Sequence, residues 1–297
     1  MLADVHLRSV RDVVLLLRSL PLMVGMSAED SVLLAEHGLP RRYQPGQPVE
    51  LEGPNGRRVH LLCEGTVRIE GPDYTEDSVA PDAIGFAAII AEAPTPTAVA
   101  VTPCTTVELS ADFVMQIFED NFGFCRNALR GMCQFLLGNW DGLPKESALP
   151  EVPPICDDTL VDRLQHLSGS FLDQASLEAA VELARGAEPI AFQPGERMMR
   201  EGEVARTWLS IVRGNVYCEN GNGSTQVGRQ MVLGVLDVMA EWPYSYSAYA
   251  VGEVLAYRHQ IDRLLSVLRA HPDLTMGLLR RLAEEVLHVL AERTVRT

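Results

Sequence analysis

Tyr43-Gln44-Pro45-Gly46 returns later in the chain as Phe192-Gln193-Pro194-Gly195, so that Gly46 and Gly195 lie 149 positions apart. Glu52-Gly53 and Glu201-Gly202 match at the same offset. The remaining matches are Leu34-Ala35 with Leu183-Ala184, Glu64-Gly65-Thr66-Val67 with Arg213-Gly214-Asn215-Val216, Ile84-Gly85 with Leu233-Gly234 and, at an offset of 150, Thr97-Ala98-Val99-Ala100 with Ser247-Ala248-Tyr249-Ala250. This many matches over about a hundred residues predict two copies of one structural unit.

The sequence around these matches predicts the same order of elements in each copy. Ser27 and Ser176 are candidate N-caps of a helix whose apolar residues recur at helical spacing. Short strands separated by turns follow, and Asn220-Gly221-Asn222-Gly223 is a strong hairpin signal. A helical tail then closes each copy. Its predicted apolar face is Phe113, Ile117, Leu129, Met132, Cys133 and Leu136 in the first copy, and Leu264, Leu268, Leu278, Leu282, Val286 and Val289 in the second.

These patterns divide the chain into four predicted parts. Residues 1–20 form an N-terminal helix, of which 5–20 have an apolar face and no counterpart in the second copy. Residues 21–140 and 159–297 form the two repeated domains, and 141–158, with four prolines, form a linker. The N-terminal helix is interpreted as a cap on the first domain, with a separate docking helix as the alternative.

The order and spacing of these motifs resemble the cyclic-nucleotide-binding domain family, whose relatives include catabolite activator protein and the regulatory subunit of protein kinase A. The resemblance covers residues from about 20 to 138 and again from about 160 to 295. It implies a mainly β fold class with flanking α-helices, built as two tandem jelly-roll (double-stranded β-helix) barrels.

The family binds its ligand through a phosphate cassette, roughly Phe-Gly-Glu, a short helix, and then Arg-Thr/Ser-Ala. Backbone amides at the helix N-terminus face the phosphate, the arginine neutralises it, and the glutamate accepts from the ribose hydroxyl. The matching positions are Gly85, Phe86, Pro96, Thr97 and Ala98 in the first copy, and Gly234, Val235, Tyr246, Ser247 and Ala248 in the second.

Both residues that recognise the nucleotide are missing from both cassettes. Phe86 and Val235 stand at the glutamate position, and Pro96 and Tyr246 at the arginine position. Residues 69–125 contain no Lys or Arg, and their ten carboxylates are expected to repel an anion. Because loss of a charge partner costs roughly 3–5 kcal/mol, we expect no binding of cyclic AMP or cyclic GMP. Phe86, Tyr246 and Trp242 are expected to fill the cavities instead.

Other chemistry finds little support in the sequence. The only lysine, Lys145, follows Pro144, which excludes a P-loop, and no G-x-S-x-G elbow is present. The seven histidines lack the H-x-H pairing that a metal-binding jelly roll would need. The six cysteines form no C-x-x-C pair and are interpreted as buried thiols. We therefore predict no catalytic residue, no metal site and no cofactor.

Charge and apolar patterning restrict the partners. A formal net charge of −15 without a basic patch argues against nucleic acid and anionic membranes. The apolar run at 13–17 is too short to span a bilayer, and no cleavage site follows it, so a cytoplasmic location is expected. The scarcity of lysine beside plentiful arginine indicates a GC-rich, bacterial genome.

The second cassette region, 242–249, is rich in aromatic residues. Trp242, Tyr244 and Tyr249 are a candidate surface for a partner, with barrel packing as the alternative. The sequence thus predicts a non-enzymatic regulatory or scaffold protein that acts on a protein partner or a second copy of itself. The alternative is a sensor of a non-canonical small ligand, or of a cyclic nucleotide bound in an unusual mode. A DNA-binding regulator is not expected, since the residues after Pro272 leave no room for a helix-turn-helix.

Overall fold

The computed structural model describes residues 10–18, 20, 24, 28–140, 142–144, 159–168 and 175–296. These residues form two compact units. Unit 1 holds the described residues up to Gly131 together with those from Arg280 onward, and unit 2 holds those from Met132 to Leu279. Antiparallel sheets with flanking helices make up each unit, which confirms the predicted fold class.

Unit 1 begins with two helices and continues with two antiparallel sheets. In chain order the elements are α1 (Val10–Leu17), α2 (Ala28–His37), β1 (Leu39–Tyr43), β2 (Glu52–Gly53), β3 (Gly56–Glu64), β4 (Thr66–Glu70), β5 (Thr75–Val79), β6 (Asp82–Ile84), α3 (Phe86–Ile90), β7 (Thr97–Ala100), β8 (Cys104–Ser110), α4 (Ala111–Asp120) and α5 (Phe122–Asn139). The first sheet has the order β1-β8-β3-β2 with β6 also paired to β3, and the second has the order β5-β4-β7.

Unit 2 repeats this order of elements with longer strands. After α5 the chain forms α6 (Leu160–Ser168), α7 (Leu177–Arg185), β9 (Glu188–Phe192), β10 (Arg197–Met199), β11 (Thr207–Asn220), β12 (Gly223–Val227), β13 (Val232–Leu233), α8 (Val235–Ala240), β14 (Ser247–Gln260), α9 (Ile261–Ala270) and α10 (Pro272–Arg296). The residues of α10 from Arg280 onward belong to unit 1, and those of α5 from Met132 onward belong to unit 2. The sheet of unit 2 has the order β10-β14-β11-β12, with β9 paired to β14 and β13 to β11. The single strand β11 corresponds in sequence to β3 and β4 together.

A glycine with positive φ sets the bend in the long strand path of each unit. Gly65, between β3 and β4, has φ 91°, and Gly214, inside β11, has φ 96°. A Cβ at either position would lie 2.4 Å from a backbone oxygen, that of Pro103 or Glu253. Only glycine satisfies both the left-handed conformation and the close backbone approach.

The local signals at helix and hairpin ends agree with the structure where it describes them. Ser176 caps α7 by accepting a hydrogen bond from the Ala179 N–H at 3.3 Å, whereas Ser27 lies outside the described residues. Asn220 pairs with Gly223 across the β11–β12 hairpin, as predicted. Each helical tail is two helices rather than one, because the chain is extended at Asn121 and leaves helical geometry at His271. Except for half-buried Phe113, the predicted face residues of both tails are buried.

The N-terminal helix packs within unit 1. Val13, Leu17 and Leu20 are buried, and α1 contacts α2. The expectation that this helix has no counterpart is wrong, because α6 stands before α7 as α1 stands before α2, with starts 150 positions apart. Of the predicted linker 141–158, the structure describes only 142–144. The predicted domain boundaries themselves stay a prediction; the compact units divide the chain within α5 and α10.

Candidate functional site

The second cassette is built around the start of α8. Gly234 precedes this short helix with φ 77°, and a Cβ there would lie 2.3 Å from the Met199 Cε atom and 3.0 Å from the Tyr244 ring. The Gly234 N–H donates to the Tyr246 hydroxyl at 2.9 Å, and Tyr246 is only 4% exposed. The amide that would face an anion in a working cassette therefore already has an acceptor from within the same unit.

A buried carboxylate ties the loop after α8 to the helix. Asp237, in the first turn of α8, is 2% exposed and its Oδ1 accepts from the Ser245 N–H at 2.9 Å. Burial raises the pKa of Asp237 and also that of the neighbouring Tyr246. The remaining cassette residues are equally engaged: Ala248 is buried, and the Ser247 hydroxyl accepts from the Glu201 N–H at 3.1 Å. Val235 is half-buried at the first position of α8.

The first cassette is built around α3, with Gly85 at φ 83° before it. Phe86 stacks on Phe118 of α4 at 5.4 Å between ring centroids, and Phe118 meets Phe124 of α5 edge-on at 4.7 Å. The expectation that Phe86 fills the barrel is wrong, because the first residue of α3 packs against the flanking helices. Pro96 and Ala98 are buried and Thr97 is exposed. The barrel interior is closed by its own apolar cluster, which includes Val49, Leu51, Leu62, Val67, Ile69, Ile84, Ala98, Ala100 and Cys104.

Arginines from outside residues 69–125 reach the acidic region of unit 1. An Nη of Arg57 in β3 donates to the carbonyl of Ala93, in the loop after α3, at 2.9 Å. Four carboxylates of this region form ion pairs with arginines: Asp77 with Arg68, Glu92 with Arg280, Glu76 with Arg293 and Glu108 with Arg41. These pairs offset part of the negative charge of residues 69–125, and the expected repulsion of an anion stays a prediction. Sequence reasoning missed these partners because strand pairing and α10 supply them from distant parts of the chain.

The predicted partner surface is only partly on the surface. Trp242 is 40% exposed, so it does not fill the second cavity as expected; its loop position leaves the ring outside. Tyr244 is 9% exposed and donates its hydroxyl to the Thr207 carbonyl at 2.6 Å, which removes it from the predicted surface. Tyr249 is half-buried and lies opposite Tyr217, which is 37% exposed.

The cysteine thiols that the structure describes are unpaired and mostly buried. Burial raises the pKa of Cys63, Cys125 and Cys218 to about 12, which keeps these thiols protonated near neutral pH. Cys156 lies outside the described residues.

The described part of the chain shows neither a metal-binding cluster nor a membrane-spanning helix. No group of three or more His, Cys, Asp or Glu side chains there is placed to hold a metal ion. No helix there combines the length and the apolar character that crossing a membrane requires.

Comparisons with known proteins give a loose likeness in fold. The regulatory domain of PKA from Toxoplasma gondii, crystallised with cAMP, is 16% identical with a TM-score of 0.33, over 93% of this chain and 97% of that one. The regulatory subunit of a cAMP-independent protein kinase A from Trypanosoma brucei is 16% identical with a TM-score of 0.36, over 87% and 89%. The N-terminal domain of a transcriptional regulator from Streptomyces coelicolor is 20% identical with a TM-score of 0.38, over 41% and 93%.

The first two of these proteins are of the kind that the sequence resembles. At such identities and TM-scores the likeness carries no argument about what the present chain binds or does. No protein-family model matches the chain, and no curated protein matches it either.

Proposed function

We propose that this protein is a non-enzymatic regulator or scaffold, built of two degenerate cyclic-nucleotide-binding-like domains, that acts by contacting another protein. The hydrogen bond from the Gly234 N–H to the Tyr246 hydroxyl supports this best. A nucleotide phosphate would have to displace a fully packed phenol and then meet no cation in its place, because Tyr246 stands where the family has arginine. The buried Asp237 carboxyl beside the same helix start adds no attraction for an anion.

Unit 1 supports the same conclusion by a different route. Its glutamate position holds Phe86, which is stacked on Phe118, and its arginine position holds buried Pro96. Arg57 reaches the loop after α3, where it donates to the Ala93 carbonyl, and Arg280 there pairs with Glu92. Neither cassette thus offers a ribose acceptor and a free phosphate-binding arginine together.

Exposed apolar side chains in unit 2 support a protein partner. Val204 is 71% exposed and forms an isolated bridge with Pro243, next in sequence to exposed Trp242. Tyr217 and Tyr249 lie opposite each other on the β11–β14 pair. Tryptophan and tyrosine are the residues that most often carry the binding energy of protein interfaces.

Calorimetric titration with cyclic AMP and cyclic GMP tests the closed cassettes. We expect no binding at micromolar concentration, and a dissociation constant below about ten micromolar for either nucleotide would overturn the proposal. Light scattering and affinity purification test the partner. A complex that is lost in Trp242→Ala but kept in Leu177→Ala, an exposed apolar position in α7, supports it. A strict monomer with no specific co-purifying protein contradicts it.

The alternative is a sensor of a non-canonical small ligand. A cavity in unit 2 that is lined in part by Arg206 and Arg258 supports this alternative. A cyclic nucleotide bound in an unusual mode would give binding heat in the same titrations. That heat would persist in the Tyr246→Trp variant, because the larger ring would keep the cassette closed.

A further inference from the structure

A cavity of about 330 Å³ lies in unit 2, among the ends of β9, β10, β11 and β14. Its lining combines three buried apolar side chains, Phe192, Met199 and Leu209, with two arginines, Arg206 and Arg258. None of the cassette residues Gly234, Val235, Tyr246, Ser247 and Ala248 lines it. The cavity therefore lies beside the degenerate nucleotide site, with Met199 and Tyr244 contacting both, and the five cassette residues themselves do not line it.

The charges of the lining do not cancel. Glu203, the carboxylate among the lining residues, is 3.8 Å from Arg200 in an ion pair. Within the described chain, no ion pair or side-chain hydrogen bond engages Arg206 or Arg258. Glu188 stands opposite Arg258 in the β9–β14 register, but it is exposed and no ion pair joins the two. The cavity thus presents two guanidinium groups, neither in an ion pair with another described residue, beside apolar side chains.

Unit 1 holds different residues at the strand positions that correspond to this cavity. In the β3–β8 register Arg58 lies opposite Ser110 and His60 opposite Glu108; in β11–β14 the same places hold Thr207 opposite Gln260 and Leu209 opposite Arg258. Glu108 pairs with Arg41 at 2.7 Å and with Arg58 at 3.6 Å. Burial raises the pKa of Glu108, but these arginines bring it below its ordinary value overall.

Unit 2 has the opposite charge at the position of Glu108 and lacks both arginines that pair with Glu108 in unit 1. Arg258 replaces the glutamate, Thr207 replaces the long Arg58 side chain, and Ile190 stands at the position of Arg41 in the strand β9. Thr207, which stands where unit 1 has Arg58, lines the cavity together with Arg258. A concave pocket lined by apolar side chains with a few placed polar or charged groups is the usual form of a small-molecule site.

We propose that this cavity binds a small organic carboxylate with an apolar body. The carboxylate pairs with Arg258, with Arg206 beside it, because guanidinium and carboxylate match in planar, two-point geometry. The apolar body packs on Phe192, Met199 and Leu209. A volume near the lower end of the usual range for ligand sites restricts the ligand to a small molecule. This inference goes beyond the protein-contact function and does not depend on it.

Calorimetric titration of the full chain with octanoate and 4-phenylbutyrate tests the ligand class, with octan-1-ol and inorganic phosphate as matched probes. We expect both carboxylates to bind. Octanol lacks the carboxylate and phosphate lacks the apolar body, so each should bind at least about tenfold more weakly. Octanol binding as tightly as octanoate would overturn the role of the arginines. Phosphate binding as tightly as the carboxylates would overturn the role of the apolar lining.

Variants test the position of the site. Arg258→Gln is expected to weaken octanoate binding at least about tenfold, whereas Arg213→Gln, at an exposed arginine of β11 outside the cavity, leaves it unchanged. The double variant Thr207→Arg/Arg258→Glu introduces the counterpart of the Arg58–Glu108 pair of unit 1 and is expected to abolish binding. Unchanged affinity in folded Arg258→Gln, or no carboxylate binding by the wild type, overturns the proposal. The octanol comparison needs no variant, so the test survives if Arg258→Gln does not fold.

Discussion

The Gly234 N–H and the Tyr246 phenol oxygen lie 2.9 Å apart in a hydrogen bond buried beside the start of α8. Phenylalanine at position 246 would keep the ring but remove the acceptor, leaving a buried N–H unsatisfied. We expect Tyr246→Phe to lower the free energy of unfolding by about 1–3 kcal/mol. Denaturant unfolding measures the change. Tyr217→Phe, at a more exposed tyrosine of β11, is the control and should change stability by less than about 0.5 kcal/mol; equal effects of the two would contradict the importance of the bond.

The bend of β11 can be tested at Gly214. Alanine there must adopt φ 96° and place its Cβ 2.4 Å from the Glu253 oxygen. We expect Gly214→Ala to cost about 1–2 kcal/mol for the left-handed backbone and a further 1–3 kcal/mol for the clash. Gly195→Ala has a similar φ of 79° and no atom within 4 Å, so it should lose only the first part. Thermal unfolding of both variants separates the two terms, and similar losses would show that the close approach is not limiting.

Two buried histidines of unit 2 predict a loss of stability in mild acid. His259 stacks on Trp208 at 3.8 Å, and His166 meets Tyr257 edge-on. Burial lowers the pKa of His259 to about 3 and that of His166 to about 4. The unfolded chain therefore binds these protons first. Their contribution is complete above the ordinary histidine pKa of about 6.5 and is lost as the pH falls from there toward the folded-state values.

Denaturant unfolding between pH 7 and pH 5 measures this dependence. We expect a loss of about 2 kcal/mol or more over that range, since each histidine contributes up to about 1.4 kcal/mol per pH unit. His166→Gln should flatten the profile, while His288→Gln, at an exposed position in α10, should leave its slope unchanged. A flat wild-type profile would show that these rings are not held neutral in the folded protein.

Burial of the thiols predicts slow chemical modification. Iodoacetamide requires the thiolate, and the raised pKa of Cys63, Cys125 and Cys218 keeps these side chains protonated at pH 8. We expect their peptides to stay unlabelled in native buffer and to be labelled fully in denaturant, as read by mass spectrometry. Rapid native labelling of Cys218 would mean that β11 opens readily.

Much of the fold could be predicted because several positions that require positive φ are occupied by glycine in both copies of the repeat. Gly65, Gly85 and their counterparts recur at a fixed offset, and the strands and short helices follow around them. The helix α6 was missed because its nine residues follow a proline-rich stretch and match α1 in position but hardly in sequence. Amphipathic pattern alone does not reveal such a correspondence.

The candidate site was less predictable because its contacts are long-range. The absence of the cassette glutamate and arginine could be read directly, but the pairing of Glu92 with Arg280 joins residues 188 positions apart. Likewise, the sequence around Trp242 and Tyr244 does not predict which of the two rings is buried. Tyr244 is the buried one, and its hydroxyl donates to the Thr207 carbonyl of β11. The cavity at Arg258 could not be predicted from the sequence, because its interpretation depends on the strand registers of both units.

Rebuilding the second cassette tests whether its chemistry alone is missing. The family resemblance places glutamate at position 235 and arginine at 246, so Val235→Glu/Tyr246→Arg would supply a ribose acceptor and a phosphate partner. It would also free the Gly234 N–H, which now donates to Tyr246. We expect cyclic AMP binding with a dissociation constant of about 10–100 micromolar by calorimetry, where the wild type is expected to show none.

The control variant Val235→Glu/Tyr246→Phe frees the same amide without adding a cation, and it should not bind. Binding by this control would show that backbone amides suffice. A folded Val235→Glu/Tyr246→Arg protein that binds nothing would show that packing around Asp237 and Met199, rather than the two lost side chains, closes the site.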